Sequence, residues 1–375
     1  MHHVEFPHPL VILISLLEFL QHGSGGSGRV CHDNHGAIEI TTAQIEKLDR
    51  ITPNSATDCL QVLSGRTELA QMQKKAPSSG ACASSIRATL GAGAANVEDR
   101  MIANARMYSE SPEAAELWRS LLTAVIGHAG LDIKLLEHNP PKSINELWQR
   151  PDKAAVFMCG LPYSRSNPRP ELIAAPVPSP ADFRGLPQYW SEMVVRRDSR
   201  YQTIEDTFGG RIALTVPDSQ SGCLAALYYL MAVADRFPLY REVIMPKVTP
   251  LGAMSAVIDG AADVAPIDSY AFCLLQKYRW DLTSQLRTIG RTARTPIPPL
   301  VASSAGLETL QAAFLEAHRI ASLAPLMAGL LLDRFVRPDP ASYDALRSNF
   351  ETATRYWRAR PLAATVDPAF VFEPA

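Results

Sequence analysis

Close cysteine pairs are missing from this chain. Its six cysteines, Cys31, Cys59, Cys82, Cys159, Cys223 and Cys273, are scattered through 375 residues, which excludes a disulfide framework and a C-x-x-C metal or redox motif. They read as small buried thiols. An excess of positive charge is missing too: 36 Lys and Arg stand against 38 Asp and Glu, a formal charge of -2. No global basic field exists to attract nucleic acid or an anionic membrane, so any bound anion has to be held by local groups. Neither G-x-S-x-G nor H-E-x-x-H occurs, and His128, His138 and His318 fall on predicted helices or their ends rather than at strand edges. Cys159, at a strand edge, is the one candidate nucleophile, set against its reading as a buried structural thiol. No cofactor or metal is expected.

The first hundred residues read as a poorly structured leader or extension, rich in Gly/Ser and Ala/Ser with little sustained periodicity. The apolar run at 10–20 (LVILISLLEFL) has the length of a signal-peptide core and is too short for the roughly 20 residues that span a bilayer. Glu18 interrupts it and no Lys or Arg precedes it, so an export signal and a non-native leader both stand as readings. The stretch at 23–28 spells G-x-G-x-x-G but has no strand before it and no amphipathic helix after it; it reads as a linker. Residues 31–35 (CHDNH) offer three metal-ligand types without a fourth ligand, between flanks that look irregular. Possible short helices follow, such as one around 45–51.

After Met101 strands and helices alternate, the signature of an α/β chain with mostly parallel sheets. Strands are predicted at 101–107, 131–136, 154–158, 193–196 and 211–216. A helix at 113–126 opens with Ser111 as N-cap, Pro112 and an early Glu113, and buries a stripe of Leu117, Leu121 and Val125. A shorter helix is predicted at 144–148.

The most informative stretch is 211–222, where a strand (RIALTV) passes through a short polar turn, Pro217-Asp218-Ser219-Gln220-Ser221-Gly222, straight into an apolar helical run. The first turn of a helix leaves four N–H groups without intrahelical partners, and the peptide dipoles concentrate positive charge there. Ser219 and Ser221 add hydroxyls, and Gly222 permits close approach. The alternative is that Asp218 or Ser219 merely caps an ordinary helix. Further on, Met254, Val257 and Ile258 share one helix face, Gly260 stops that helix, and a short strand at 263–267 leads to Asp268. Asp268 sits where open α/β sheets place ligand groups, or it caps the helix at 269–276. A ligand role for it would be to accept a hydrogen bond from a protonated oxyanion or to pair with an ammonium.

Together these stretches resemble the phosphonate/phosphate-type substrate-binding proteins of ABC transporters. The resemblance runs from about residue 102 to the end and includes Tyr108, Cys159-Gly160-Leu161-Pro162-Tyr163, the turn at 218–222, the element ending in Asp268, and 295–300 (TPIPPL). It implies a type II periplasmic-binding fold, with lobe one at 101–190 plus 296–375, lobe two at 191–295, and two crossover strands as hinge. It also implies a ligand-binding, non-enzymatic role: a small phosphorus oxyanion (phosphonate, phosphite or phosphate) enclosed by hinge closure and delivered to an ABC permease. The resemblance gives Ser219, Gln220, Ser221 and Gly222 to the oxyanion from lobe two, with Asp268 opposite its substituent, and Tyr108, Gly160 and Tyr163 to lobe one. Tyr163 reads equally as packing. Arg165 could neutralise an oxyanion, and Gln188-Tyr189-Trp190 reads either as a ligand contact near the cleft or as hinge packing. A periplasmic monomer is expected, or a cytoplasmic protein if Met101 is the start. A sensory ligand domain and an enzyme on the same two-lobed fold are the alternatives.

Overall fold

The computed structural model describes residues 29–33, 36–40 and 101–363. The chain divides into two compact units, Met1–Ala88 and Thr89–Ala375. In the first, Arg29–Asp33 (β1) and Gly36–Ile40 (β2) form an antiparallel hairpin paired from Arg29↔Ile40 to Asp33↔Gly36. This corrects the expectation of irregular chain around 31–35. Val30, Ile38 and Ile40 are β-branched, and two residues separate the strands, the shortest common hairpin connection. The apolar run at 10–20, the linker at 23–28 and the helix expected at 45–51 lie outside the described residues.

In the second unit, one sheet contains Ile102–Asn104 (β3), Lys134–Leu135 (β4), Lys153–Phe157 (β5) and Glu171–Pro178 (β6). The chain crosses over at Gln188–Tyr189 (β7), enters a second sheet at Ser191–Arg196 (β8), and continues through Arg211–Ala213 (β9), Glu242–Ile244 (β10), Ala265–Asp268 (β11) and Leu286–Arg291 (β12). It returns at Thr295–Pro296 (β13), which pairs antiparallel with β7, and finishes in the first sheet with Leu300–Ala302 (β14) and Leu332–Val336 (β15).

The first sheet runs β15-β6-β14-β5-β3-β4. Because β14 is antiparallel to both β5 and β6, the strands β4, β3, β5 and β6 share one direction. The second sheet repeats the scheme. β8 is antiparallel to β11 and β12, β9 is parallel to β10, and a parallel bridge Ile212↔Val264 joins β9 to the start of β11. Both sheets therefore place the strand that has just crossed over inside four strands of opposite direction, the expected two-lobed, mostly parallel architecture.

Helices cover these sheets. Pro112–His128 (α1) carries the expected Ser111 cap, whose Oγ accepts from Ala114 N at 3.2 Å, and buries Trp118, Leu121, Leu122 and Val125 against Phe157 and Phe335. Ile144–Gln149 (α2) and Gly160–Arg165 (α3) come next. Ala225–Val233 (α4), Pro250–Ile258 (α5), Ser269–Tyr278 (α6) and Trp280–Thr283 (α7) belong to the middle of the chain. Glu308–Glu316 (α8), Ala324–Gly329 (α9) and Asp344–Ala359 (α10) close it.

Two helices are shared between the lobes, which departs from the simple division expected. Tyr270, Ala271 and Leu274 of α6 pack into the first core while Phe272 and Leu275 pack into the second. Conversely, Ala353 and Trp357 of α10, then Leu362 and Ala363, join the core around Leu227 and Tyr240, with Trp357 Nε1 donating to Leu227 O at 3.1 Å. No helix among the described residues is long and apolar enough to cross a membrane.

Candidate functional site

The C-terminal ends of β3, β5, β9 and β11 face one another across a cleft of about 660 Å³ counted to its mouth. Its walls include Met107, Trp148, Cys159, Thr215, Ser221 and Asp268. This is the position at which open α/β sheets present ligand groups.

The turn after β9 is not the plain helix start expected from the sequence. Residues Gln220–Leu224 form one wide turn, in which Leu224 N reaches Ser219 O at 3.0 Å, before α4 begins. Such wide turns occur frequently at functional sites because they re-aim backbone groups. Ser219 is the cap, its Oγ accepting from Gly222 N at 2.9 Å. The capping role expected as the alternative is therefore present, and Ser219 also lines the cleft. Gly222 has a steric reason: a Cβ there would overlap the Thr215 side chain, and Thr215 N donates to Gly222 O at 3.1 Å. Ser191 Oγ, on β8, holds the turn by donating to Ser221 O at 2.7 Å. Gln220 N is aimed across the cleft and donates to Cys159 Sγ at 3.1 Å.

Asp268 ends β11 and caps α6, Oδ1 accepting from Tyr270 N and Ala271 N at 2.9 Å each. Its other oxygen faces Ser221 Oγ at 3.4 Å. Burial pushes the carboxyl up to about 7 against the opposing pull of these hydrogen bonds. It therefore exchanges its proton near neutral pH, beside the turn.

Tyr108 lies just after β3, edge-on to Phe157 and Tyr270, with ring centroids 5.1 and 4.8 Å away. Its hydroxyl is buried and has no partner among the described residues, and the same holds for Tyr189 Oη on the crossover β7, Thr215 Oγ1 and Gln220 Oε1. Burial drives both phenols well above their ordinary pKa, and the nearby Asp268 carboxyl adds to the shift, so they stay protonated donors. Of these four residues only Thr215 lines the cleft, and Gln220 lines a separate groove; a buried polar group without a partner is costly. For Tyr189 the sequence leaves a ligand contact and hinge packing open, and Tyr189 is not among the residues that line the cleft. Thr215 gives no signal, because its role emerges from contact with a glycine seven positions on.

Several expectations change. Tyr108, Gly160, Tyr163 and Gln220 are not among the residues that line the cleft, and Gln220 lines a second groove instead. A Cβ at 160 would meet Leu346 Cδ1 at 2.7 Å, so this glycine admits α10 rather than a ligand. Tyr163 packs edge-on to Tyr343 at 5.0 Å, and Arg169 lies over its ring on the far side of α3. Arg165 is committed to Asp218 at 3.1 Å and to the face of Phe350, tying the lobes together instead of meeting an anion. Cys159 is buried and its thiol is pushed up to about 11, mainly by desolvation, which makes it a poor nucleophile.

At the mouth, Glu110 accepts from Leu251 N, in the first turn of α5, at 3.0 Å. Burial raises this carboxyl to about 7. Arg106 lines the same mouth and is held by Lys142 O at 2.6 Å. Sequence reasoning misses both, since a Glu in a loop carries no pattern of its own.

No curated protein matches this sequence. Solved structures do match in fold. A binding-protein component of an ABC phosphonate transporter from Pseudomonas aeruginosa aligns with TM-score 0.61 and 18% identity, covering 73% of this chain and 92% of that one. A phosphonate-binding PhnD1 from Prochlorococcus marinus in complex with methylphosphonate gives TM-score 0.58 and 14% identity, covering 68% and 98%. A family described as "ABC transporter, phosphonate, periplasmic substrate-binding protein" matches residues 108–343, from Tyr108 through both crossovers to Tyr343. With more than half of its length matched, this chain belongs to the phosphonate family of ABC-transporter substrate-binding proteins, whose role is binding rather than catalysis.

Proposed function

We propose that the chain is a receptor that encloses a small phosphorus oxyanion between its lobes and delivers it to an ABC permease in the periplasm. The observation carrying this reading is the convergence on one cleft of Ser219, Ser221 and Gly222 of the turn, the Thr215 hydroxyl and the Asp268 carboxyl. A phosphonate offers three acceptor oxygens, which suits amides and hydroxyls placed at a helix start. No lysine or arginine is needed, because the turn's dipole and N–H groups supply the positive potential. A neutral Asp268 can donate to a phosphonate oxygen; ionised, it can hold a substituent ammonium. Closure results from ligand contacts made to both walls at once, which shifts the population toward the closed arrangement.

Calorimetric titration of the full chain with methylphosphonate, phosphite and phosphate tests the proposal. At least one should bind and raise the melting temperature in step with occupancy. Absence of heat and of any thermal shift with all three at millimolar concentration would overturn it.

A further inference from the structure

A second groove lies behind the hinge, about 960 Å³ counted to its mouth. Its walls are α4, the returning segment around β13 and the start of α10, with Tyr228, Tyr229, Thr292, Pro296, Ala345 and Asn349 among the lining residues. We infer that this groove is a ligand site for a small neutral molecule with an aromatic body and one hydrogen-bond donor.

The chemistry of the walls selects that class. Arg294 is the charged residue among those that line the groove, and it is already engaged: its Nη2 donates to Asp182 O at 2.6 Å and its guanidinium lies 4.2 Å over Trp190. A cation would find no countercharge in the groove and an anion only this one shared guanidinium at an exposed position. The apolar lining is large, and Tyr228 holds 40% of its surface exposed although α4 is otherwise an apolar helix. An exposed ring beside a concave apolar wall is a platform for another ring. The donor requirement comes from Gln220, which lines this groove, is 2% exposed, and has an Oε1 with no partner among the described residues. A buried acceptor left unmade favours a guest that supplies an N–H or O–H.

Position gives the site a consequence. A molecule seated there touches α4, the crossover and α10 together. Gln220 also begins the turn that forms the cleft wall, its own N–H reaching Cys159. The inference rests on the groove's residues and not on which anion fills the cleft.

Indole is a suitable probe, with 1-methylindole as the same body lacking the donor. In titrations of the full chain followed by amide NMR, indole should shift resonances of Tyr228, Thr292 and Asn349. The methylated analogue should bind about fivefold or more weakly, the typical worth of one hydrogen bond. Gln220→Met should remove that difference. Ala345→Trp, at an exposed position, should fill the groove and weaken indole about tenfold or more; Ala232→Trp repeats the test from the opposite wall should the first variant not fold. Equal affinity for both probes, unchanged indole binding in the filled variants, or shifts confined to cleft residues would each overturn the inference.

Discussion

Cys159 and Asp268 occupy the same place in two sheets of the same order, each ending the strand beside the one that has just crossed over. The helices that begin at these two points differ. The thiol provides no side-chain cap, and the six-residue α3 is held by packing of Gly160 under α10. The carboxylate caps two amides of a ten-residue helix and keeps one oxygen for the cleft. The fold thus brings two equivalent points together, and the side chain at each decides whether that wall of the cleft is inert or carries charge. At these two points the β11 side presents a carboxyl and the β5 side a thiol acceptor, while Arg106 and Glu110 add charged groups to the cleft from the segment after β3.

The two glycines offer the sharpest way to break this contrast. Gly222→Ala forces a methyl into Thr215, within the turn itself, and should cost about 1–3 kcal/mol of stability. Displacing the turn by even a fraction of an ångström removes its charge-assisted bonds, so affinity for methylphosphonate should fall about 100-fold or more by calorimetry. Gly160→Ala meets the Leu346 side chain at 2.7 Å and the Tyr343 ring at 3.3 Å, both away from the turn; it should destabilise by about 1–3 kcal/mol and leave affinity within about twofold. Equal loss of binding in both variants would erase the distinction between the walls.

Asp268 gives the next largest effect, through pH. An ordinary carboxyl titrates near 4 in the unfolded chain, whereas burial holds this one, and Glu110, at about 7. Between those values these two groups retain protons in the folded protein that they have released in the unfolded chain, so their contribution to stability is fully present below about pH 4 and is lost as pH rises through 7. Asp268→Asn retains a capping side chain, so stability at pH 5 should change by less than about 1 kcal/mol while part of the decline disappears from melting curves taken across pH 4 to 8. Binding reads the ligand's charge. Affinity for a plain alkylphosphonate should weaken as pH passes 7, affinity for an amino-substituted one should strengthen, and the Asn variant should flatten both. A wild-type affinity that ignores pH would mean that Asp268 does not face the ligand.

Much of the architecture is legible because periodicity and caps are local. Ser111-Pro112-Glu113 announces α1, and the strand-turn-helix at 211–222 announces the polar wall. The features that escape notice depend on partners far along the chain. Thr215 matters because it fills the space Gly222 leaves, and Glu110 because Leu251 N lies opposite, 141 positions away. The sharing of α6 and α10 between cores cannot be read either, since an amphipathic pattern shows which face is apolar but not which sheet receives it. Gly160 and Tyr163 are misplaced for the converse reason: their strand-edge position is right for a ligand, but Leu346 and Tyr343 arrive from the chain's end and cover them.

Tyr108→Phe and Ser221→Ala compare the walls hydroxyl for hydroxyl. Each should weaken methylphosphonate binding about 5- to 20-fold if its hydroxyl meets an oxygen of the ligand. Stability separates them. The Tyr108 hydroxyl has no partner among the described residues, so its loss should leave the melting temperature of the unliganded protein unchanged or raised. Ser221 Oγ lies 3.4 Å from Asp268, so its loss should lower it slightly. Unchanged affinity in Tyr108→Phe would confine recognition to lobe two.

The smallest expected effect bears on how far lobe one reaches. In Tyr163→Phe the ring still packs against Tyr343, and only a hydroxyl on the Arg169 side of α3 is removed. Stability should fall by about 0.5–1.5 kcal/mol, the typical worth of one hydrogen bond, and calorimetric affinity should stay within about twofold. A tenfold loss would require α3 to swing into the cleft on closure, carrying Tyr163 past Tyr343. Lobe one would then present a second polar wall, and the contrast between Cys159 and Asp268 would describe the unliganded arrangement alone.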